Sequence, residues 1–369
     1  MTRKIRVAIA GLGFGAEFIP IYQAHPDADL VAVCQRTPSA LRKIADQFEI
    51  PGRYTSFDEM LANPDIDAVH INTPIPDHAA QSIAALRAGK HVACTVPMAT
   101  TVDECRAIVK AARESGRNYM MMETVVYSRE FLYVKELVET GEIGRIQFMR
   151  GAHHQEMAGW PGYWEGLPPM HYATHAVSPI LALTGRLAQS VVCHGSGRIA
   201  PELAKHYGSP FAVETALLTL EDSVVVAEVA RSLFETAREY VESFTVFGDK
   251  ATFEWEQTQG SGHVLHVGED PRRVEIPEYA HLLPDEIAPF TTHGVYDAES
   301  NQHLSFTQGA GHGGSHPHLA HEFIRSIVEA RPSAIDAVTA ANWTSVGICA
   351  HESAMSGGTR VQLPSFAEA

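Results

Sequence analysis

Residues 5–16 read I-R-V-A-I-A-G-L-G-F-G-A, and the fold follows from this stretch. Six strand-forming residues run straight into Gly11-Leu12-Gly13-Phe14-Gly15-Ala16, a G-x-G-x-x-A turn. The first glycine permits a tight turn and the second lets the backbone approach a pyrophosphate. The small third residue lets helix and strand pack closely, with helix N–H groups aimed at phosphates. The pattern is weak in isolation and strong in this context: after a strand, near the N-terminus, with a second strand following.

Working outward, apolar runs of strand length recur at Leu30–Cys34, Ala68–Asn72, His91–Thr95 and Tyr119–Met122. Helical patterns lie between them at Pro38–Phe48, His78–Ala88 and Val102–Glu114. This alternation predicts a parallel sheet with helices on both faces. Pro20 falls inside the expected first helix and should kink it or delay its start. Residues 1–125 therefore read as an N-terminal Rossmann domain.

After Tyr127 the texture changes. One helix, about Arg129–Thr140, precedes β-like stretches at Ile146–His153, Val191–His194, Ala216–Leu220, Val224–Ala230 and Phe244–Phe247. Without crossover helices between them, these predict a second α/β domain (126–369) on a large, mostly antiparallel open sheet. Residues 256–317, rich in Gly, Pro, His and Asp, read as long loops, and a last helix as Ala337–Ser353.

The chain of 369 residues suits two domains, and 45% hydrophobic with 20% charged residues is ordinary globular composition. Its 28 basic against 44 acidic residues give a net charge of −16, which argues against nucleic-acid and membrane partners. Five scattered cysteines with no C-x-x-C read as reduced thiols in a cytoplasmic protein. The basic start breaks into glycines without an A-x-A site, so no secretion signal is expected. The second strand ends Cys34-Gln35-Arg36, where an acidic residue would bind the ribose 2′-hydroxyl of NAD. Gln35 can bond that hydroxyl and Arg36 could attract a 2′-phosphate, so this pair is compatible with NAD or NADP.

Four motifs follow in order: the glycine turn, Asn72-Thr73-Pro74 with His78, Gly89-Lys90-His91-Val92, and Thr95-Val96-Pro97. In that order they resemble the glucose–fructose oxidoreductase, inositol dehydrogenase and rhizopine-catabolism (Gfo/Idh/MocA) superfamily. The resemblance implies a Rossmann domain followed by an α/β domain with an open sheet. It assigns cofactor contacts to Gly11, Gly13, Phe14, Gln35, Arg36 and Thr73, and further ones to Pro74, His78, Thr95, Val96 and Glu123. The superfamily's dehydrogenases carry Glu-Lys-Pro where this chain has Thr95-Val96-Pro97, and valine moves no proton.

One branch, the NAD-dependent α-N-acetylgalactosaminidases, is similar at further points. They are Met120-Met121-Met122-Glu123-Thr124-Val125-Val126-Tyr127, Tyr172-Ala173-Thr174-His175, Ala310-Gly311-His312-Gly313-Gly314 and Tyr240. The chain departs from that branch at Thr95, at Ala237-Arg238-Glu239 and at Gln35. NAD-dependent sulfoquinovosidases are similar in architecture. The branch implies a retained NAD, transient oxidation at C3 of a hexoside (neutral or anionic, such as a sulfoquinovoside), elimination across C1–C2, water addition and re-reduction.

By the same resemblance Tyr127 is the base near C2, while Tyr172 and His175 take the C3-hydroxyl proton and position the sugar. Tyr240 is a second phenol over the ring. The segment Gly159–Glu165 is not shared with that branch. There the clustering of Trp160 and Trp164 with Gly and Pro reads as a surface loop stacking on a sugar face rather than core or interface aromatics, and His312 reads as a hydrogen-bonding group. The histidines at 312, 316, 318 and 321 lack clear zinc spacing, so no metal is expected. Fold analogy implies a homodimer or homotetramer. The competing readings are an NAD(P)-dependent sugar or inositol dehydrogenase using His175 or Tyr127 as base, and a nucleotide-binding sensor.

Overall fold

The computed structural model describes residues 3–292 and 310–367. Six parallel strands form the first sheet: β1 (Ile5–Ala10), β2 (Ala28–Cys34), β3 (Gly52–Tyr54), β4 (Ala68–Ile71), β5 (His91–Thr95) and β6 (Tyr119–Met122). Their order is β3-β2-β1-β4-β5-β6, so the chain reverses direction across the sheet between β1 and β4. Ligands bind at such a switch point, beyond the carboxyl ends of the strands. Pro20 does delay the first helix: a 3₁₀ turn, Gly15–Phe18, comes first, and the α-helix runs only over Ile19–Ala24. Elsewhere the local chemistry is regular. Helix Val102–Ser115 opens with a Thr101–Glu104 capping box and closes at Gly116 with φ +62°.

The second sheet has nine strands. They are β7 (Ile146–His154), β8 (Ala188–Ser196), β9 (Val213–Leu220), β10 (Val226–Ser232), β11 (Val241–Gly248), β12 (Ala251–Glu254), β13 (His263–Val267), β14 (Asp270–Val274) and β15 (Val361–Gln362). Their order is β14-β13-β12-β11-β7-β10-β9-β8-β15. All pairs are antiparallel except β7 with β10. One face is covered by helices Thr174–Thr184 and Ala337–Met355; the first approaches β7 closely because Gly151 carries no Cβ, and the second approaches the turn Pro169–Tyr172 closely because Gly347 carries none. A Cβ on Gly151 would lie 1.9 Å from Ala176 O, and one on Gly347 2.0 Å from Met170 O.

One expectation needs correction. The loop reading of 256–317 misses the β13–β14 hairpin and the start of a helix at Ala310; residues 293–309 lie outside the described residues. Strands defined by pairing rather than by composition, such as Asp270–Val274, carry no apolar alternation to read. The C-terminal chain also returns to the first domain. Helix Ala310–Val328 contributes Leu319, Ala320, Phe323 and Ile324 to the core built on Val7, Ile9, Val33 and Met120. Beyond it, Met121 N–H donates to Ile335 O (3.1 Å), extending hydrogen bonding at the β6 edge. No helix among the described residues is long and apolar enough to cross a membrane.

Candidate active site

A cleft of about 750 Å3 opens beyond β1, β4 and β5 and runs to the edge of the second sheet. Gly11, Gly13, Phe14, Gln35 and Arg36 line one end; His153, Tyr172, His175 and Tyr240 line the other. At the first end the glycines differ in purpose. Gly11 has φ +85° and a Cβ there would meet Asn72 O at 2.4 Å, so the turn itself requires it. Gly13 meets nothing within 4 Å and faces open cleft. That reserved space, beside a turn into a helix start, fits the pyrophosphate of a dinucleotide. Gln35 accepts a hydrogen bond from Leu12 N–H through Oε1 (3.3 Å), which places its side chain across the turn.

Two loops form the cleft floor, and His78 ties them together. Its Nδ1 lies 2.8 Å from Pro97 O and its Nε2 2.8 Å from Thr73 O. Bonding two carbonyls requires both ring nitrogens to donate. Burial pulls the imidazole pKa down, but Cys94 and the two carbonyls outweigh it and raise the value to about 9. Thr95 Oγ1 donates toward Ile71 O (3.0 Å) and Asn72 Oδ1 (2.8 Å), and buried Val96 completes this floor.

At the far end two half-buried phenols are each backed by a buried carboxylate. In the first chain, Tyr172 Oη lies 3.3 Å from His175 Nε2, and His175 Nδ1 lies 2.6 Å from Glu123 Oε1. In the second, Tyr240 Oη donates to Glu242 Oε2. Burial lowers the His175 pKa, yet the carboxylates of Glu123 and Glu242 prevail and hold it above the ordinary value. Burial raises both phenols, and it raises Glu242 against the pull of His175 and Tyr240. Fully buried Arg231 fixes the frame around them: Nε donates to Tyr172 O (2.9 Å), Nη1 to His153 O (2.9 Å) and Nη2 to Gln155 Oε1 (3.1 Å). Trp164 packs edge-on against Tyr172 at 4.8 Å between ring centroids, and Trp160 edge-on against Trp164 at 5.7 Å.

Most residues expected from sequence therefore converge on one cleft: Gly11, Gly13, Phe14, Gln35, Arg36, Thr73, Pro74, His78, Thr95 and Val96 at the cofactor end, with Trp160, Trp164, Tyr172, His175, Tyr240 and His312 beyond. Two sit elsewhere. Tyr127 is not among the lining side chains; it packs half-buried between the two cores, near Glu322 and Arg331. Glu123 is wholly buried behind His175, where it orients the imidazole rather than facing the cofactor end. Gly313 and Gly314 lie close against protein: Cβ atoms there would lie 2.9 Å from Glu130 Oε2 and 2.6 Å from Thr291 O. The sequence reading missed His153, Gln155, Arg231 and Glu242. Only His153, closing an apolar strand, carried a local signal.

The chain is similar to known proteins over nearly its whole length. Residues 5–123 match the model of the oxidoreductase family with an NAD-binding Rossmann fold, and residues 131–254 the GFO/IDH/MocA C-terminal domain. A glycosyl hydrolase family 109 protein of Saccharopolyspora erythraea is 25% identical over 98% of this chain and 83% of its own. One from Shewanella baltica is 31% identical, but the alignment spans 48% of this chain and only 43% of that protein. Scyllo-inositol dehydrogenase from Lactobacillus casei, solved with bound NAD(H) and scyllo-inositol, superposes with a TM-score of 0.73 at 21% identity. That alignment covers 98% of this chain and 99% of the dehydrogenase.

Proposed function

Because the chain belongs to the Gfo/Idh/MocA oxidoreductase family and uses NAD, we propose that it is an NAD-dependent glycoside hydrolase whose cofactor ends each turnover unchanged. One observation carries the reading: the sugar end of the cleft holds two phenols, each with its own buried carboxylate. A plain dehydrogenase has a single proton to manage, the one on the hydroxyl it oxidises. A redox glycosidase has a second, on the neighbouring carbon.

Bound NAD supplies a hydride acceptor at C3 and later returns the same hydride. The Tyr172–His175–Glu123 chain takes the C3-hydroxyl proton, which passes along hydrogen bonds to the carboxylate. With C3 a ketone, the C2 proton is acidic; Tyr240 takes it while yielding its own to Glu242. The C1–O bond breaks and the aglycone oxygen takes the proton held on Glu242. Water then adds its oxygen to C1 and gives a proton to Glu242, which passes it through Tyr240 to C2. As hydride returns to C3, the ketone oxygen recovers the proton held on the Glu123 chain. The absence of lysine at Val96 follows, since each proton already has a path. Trp160, Tyr163 and Trp164 offer aromatic faces for a pyranose. Among the described lining residues the only guanidinium or ammonium group is Arg36, at the cofactor end, which favours a neutral hexoside over an anionic one.

Turnover in D2O tests this directly. The product sugar should carry deuterium at C2 and its original hydrogen at C3. Protium retained at C2 of a hydrolysed product would exclude elimination. Release of a keto-sugar with stoichiometric NADH would make the protein a dehydrogenase.

A further inference from the structure

We propose that His153, His175 and Glu242 form a site for a divalent transition metal of the zinc class, and that filling it stops turnover. Each residue offers one ligand atom, and the three lie within 4.8 Å of one another. A point within about 2.8 Å of all three therefore exists. Closing to the roughly 2.0–2.2 Å of zinc bonds to nitrogen and oxygen needs less than about 1 Å of movement per group. Two imidazoles and a carboxylate are a ligand set zinc accepts, with a fourth position left for water or for the Tyr172 hydroxyl beside His175.

His153 supplies the independent sign. It is 1% exposed, yet neither ring nitrogen has a hydrogen-bond partner among the described residues. A buried polar atom left unpaired is costly, so such a group calls for an occupant. The surroundings suit a cation: two carboxylates, buried Glu123 and mostly buried Glu242, stand near one fixed positive charge, Arg231. Glu123 also holds His175 Nδ1 at 2.6 Å, and Glu242 Oε1 lies 3.7 Å from the same nitrogen, so both carboxylates orient this imidazole and draw a cation to it. Occupation would take lone pairs of His175 and Glu242 that both proton chains use. The blocking effect thus rests on the proposed reaction; the binding site does not.

The test uses the NAD-loaded protein, freed of adventitious metal by chelator and titrated calorimetrically with zinc chloride. One equivalent should bind tightly. His153→Asn and Glu242→Gln should each weaken it at least tenfold, and Glu123→Gln by about 10–100-fold as an outer-shell loss. His321→Ala, in the separate His25–His321 pair (3.0 Å), should bind as wild type. Circular dichroism and retained NAD would establish that each variant is folded; if His153→Asn fails, Glu242→Gln carries the comparison. Glycosidase inhibition should track the calorimetric affinity. Absence of binding, binding that survives Glu242→Gln, or loss in His321→Ala overturns the site. Stimulation by zinc, or unchanged turnover in the zinc-filled protein, overturns the blocking.

Discussion

Tyr172, Tyr240 and Tyr127 are the same side chain in three situations, and their contrast is the sharpest test at the residue scale. The first two line the cleft beside His175 and Glu242; the third packs between cores. Phenylalanine at 172 or 240 should lower kcat by roughly 10²–10⁴, the usual worth of a proton-transfer group, with NAD still bound. Phenylalanine at 127 should leave kcat within a few-fold, measured in the same assay. His78 gives a second test, of stability. Its folded pKa of about 9 lies above the ordinary 6.5, so its contribution is complete below pH 6.5 and is lost as pH rises through 9. That contribution is up to about 3 kcal/mol. The denaturant midpoint should fall between pH 6 and pH 10, and His78→Gln should flatten the fall. Of these residues, Tyr172 and His175 were legible because motif order marks them. Glu242 was not, since a glutamate in an exposed-looking strand gives no hint that pairing will bury it beside a phenol.

At the scale of elements, the glycine turn and β7 make opposite predictions from the same substitution. Gly13→Ala adds a methyl group to open cleft, so thermal stability of the cofactor-free protein should hold while NAD affinity drops, as calorimetry would record. Gly151→Ala drives a methyl into the Ala176 carbonyl and should cost about 1–3 kcal/mol or more in chemical denaturation. The βα alternation of the first sheet was legible because buried parallel strands are short apolar runs bounded by turns. The β13–β14 hairpin was not, because β14 is largely polar, both strands are short, and their order comes from the pairing of β13 with β12 and with β14. The run His312-Gly313-Gly314 is left-handed throughout (φ +47°, +64°, +79°), with His312 lining the cleft and the two glycines packed against protein. Sequence marks where backbone freedom is needed, and only packing reveals what comes close.

For the whole molecule, the cleft draws its groups from both domains. Glu123 follows β6 and His175 lies in the helix after β7, so their hydrogen bond joins the two domains across 52 residues. The return of helix Ala310–Val328 to the first sheet joins them again. Leu319, Phe323 and Ile324 are fully buried there, and at about 1.5–3 kcal/mol each they contribute on the scale of a domain's entire net stability. During synthesis the nucleotide-binding half leaves the ribosome first, with one hydrophobic wall bare until some two hundred more residues have followed. A fragment ending at residue 125 should accordingly aggregate or bind chaperones, and gain solubility when a peptide spanning residues 310–335 is co-expressed. Translation order and folding order are thus at odds in this chain: the half that is made first is the half that must wait.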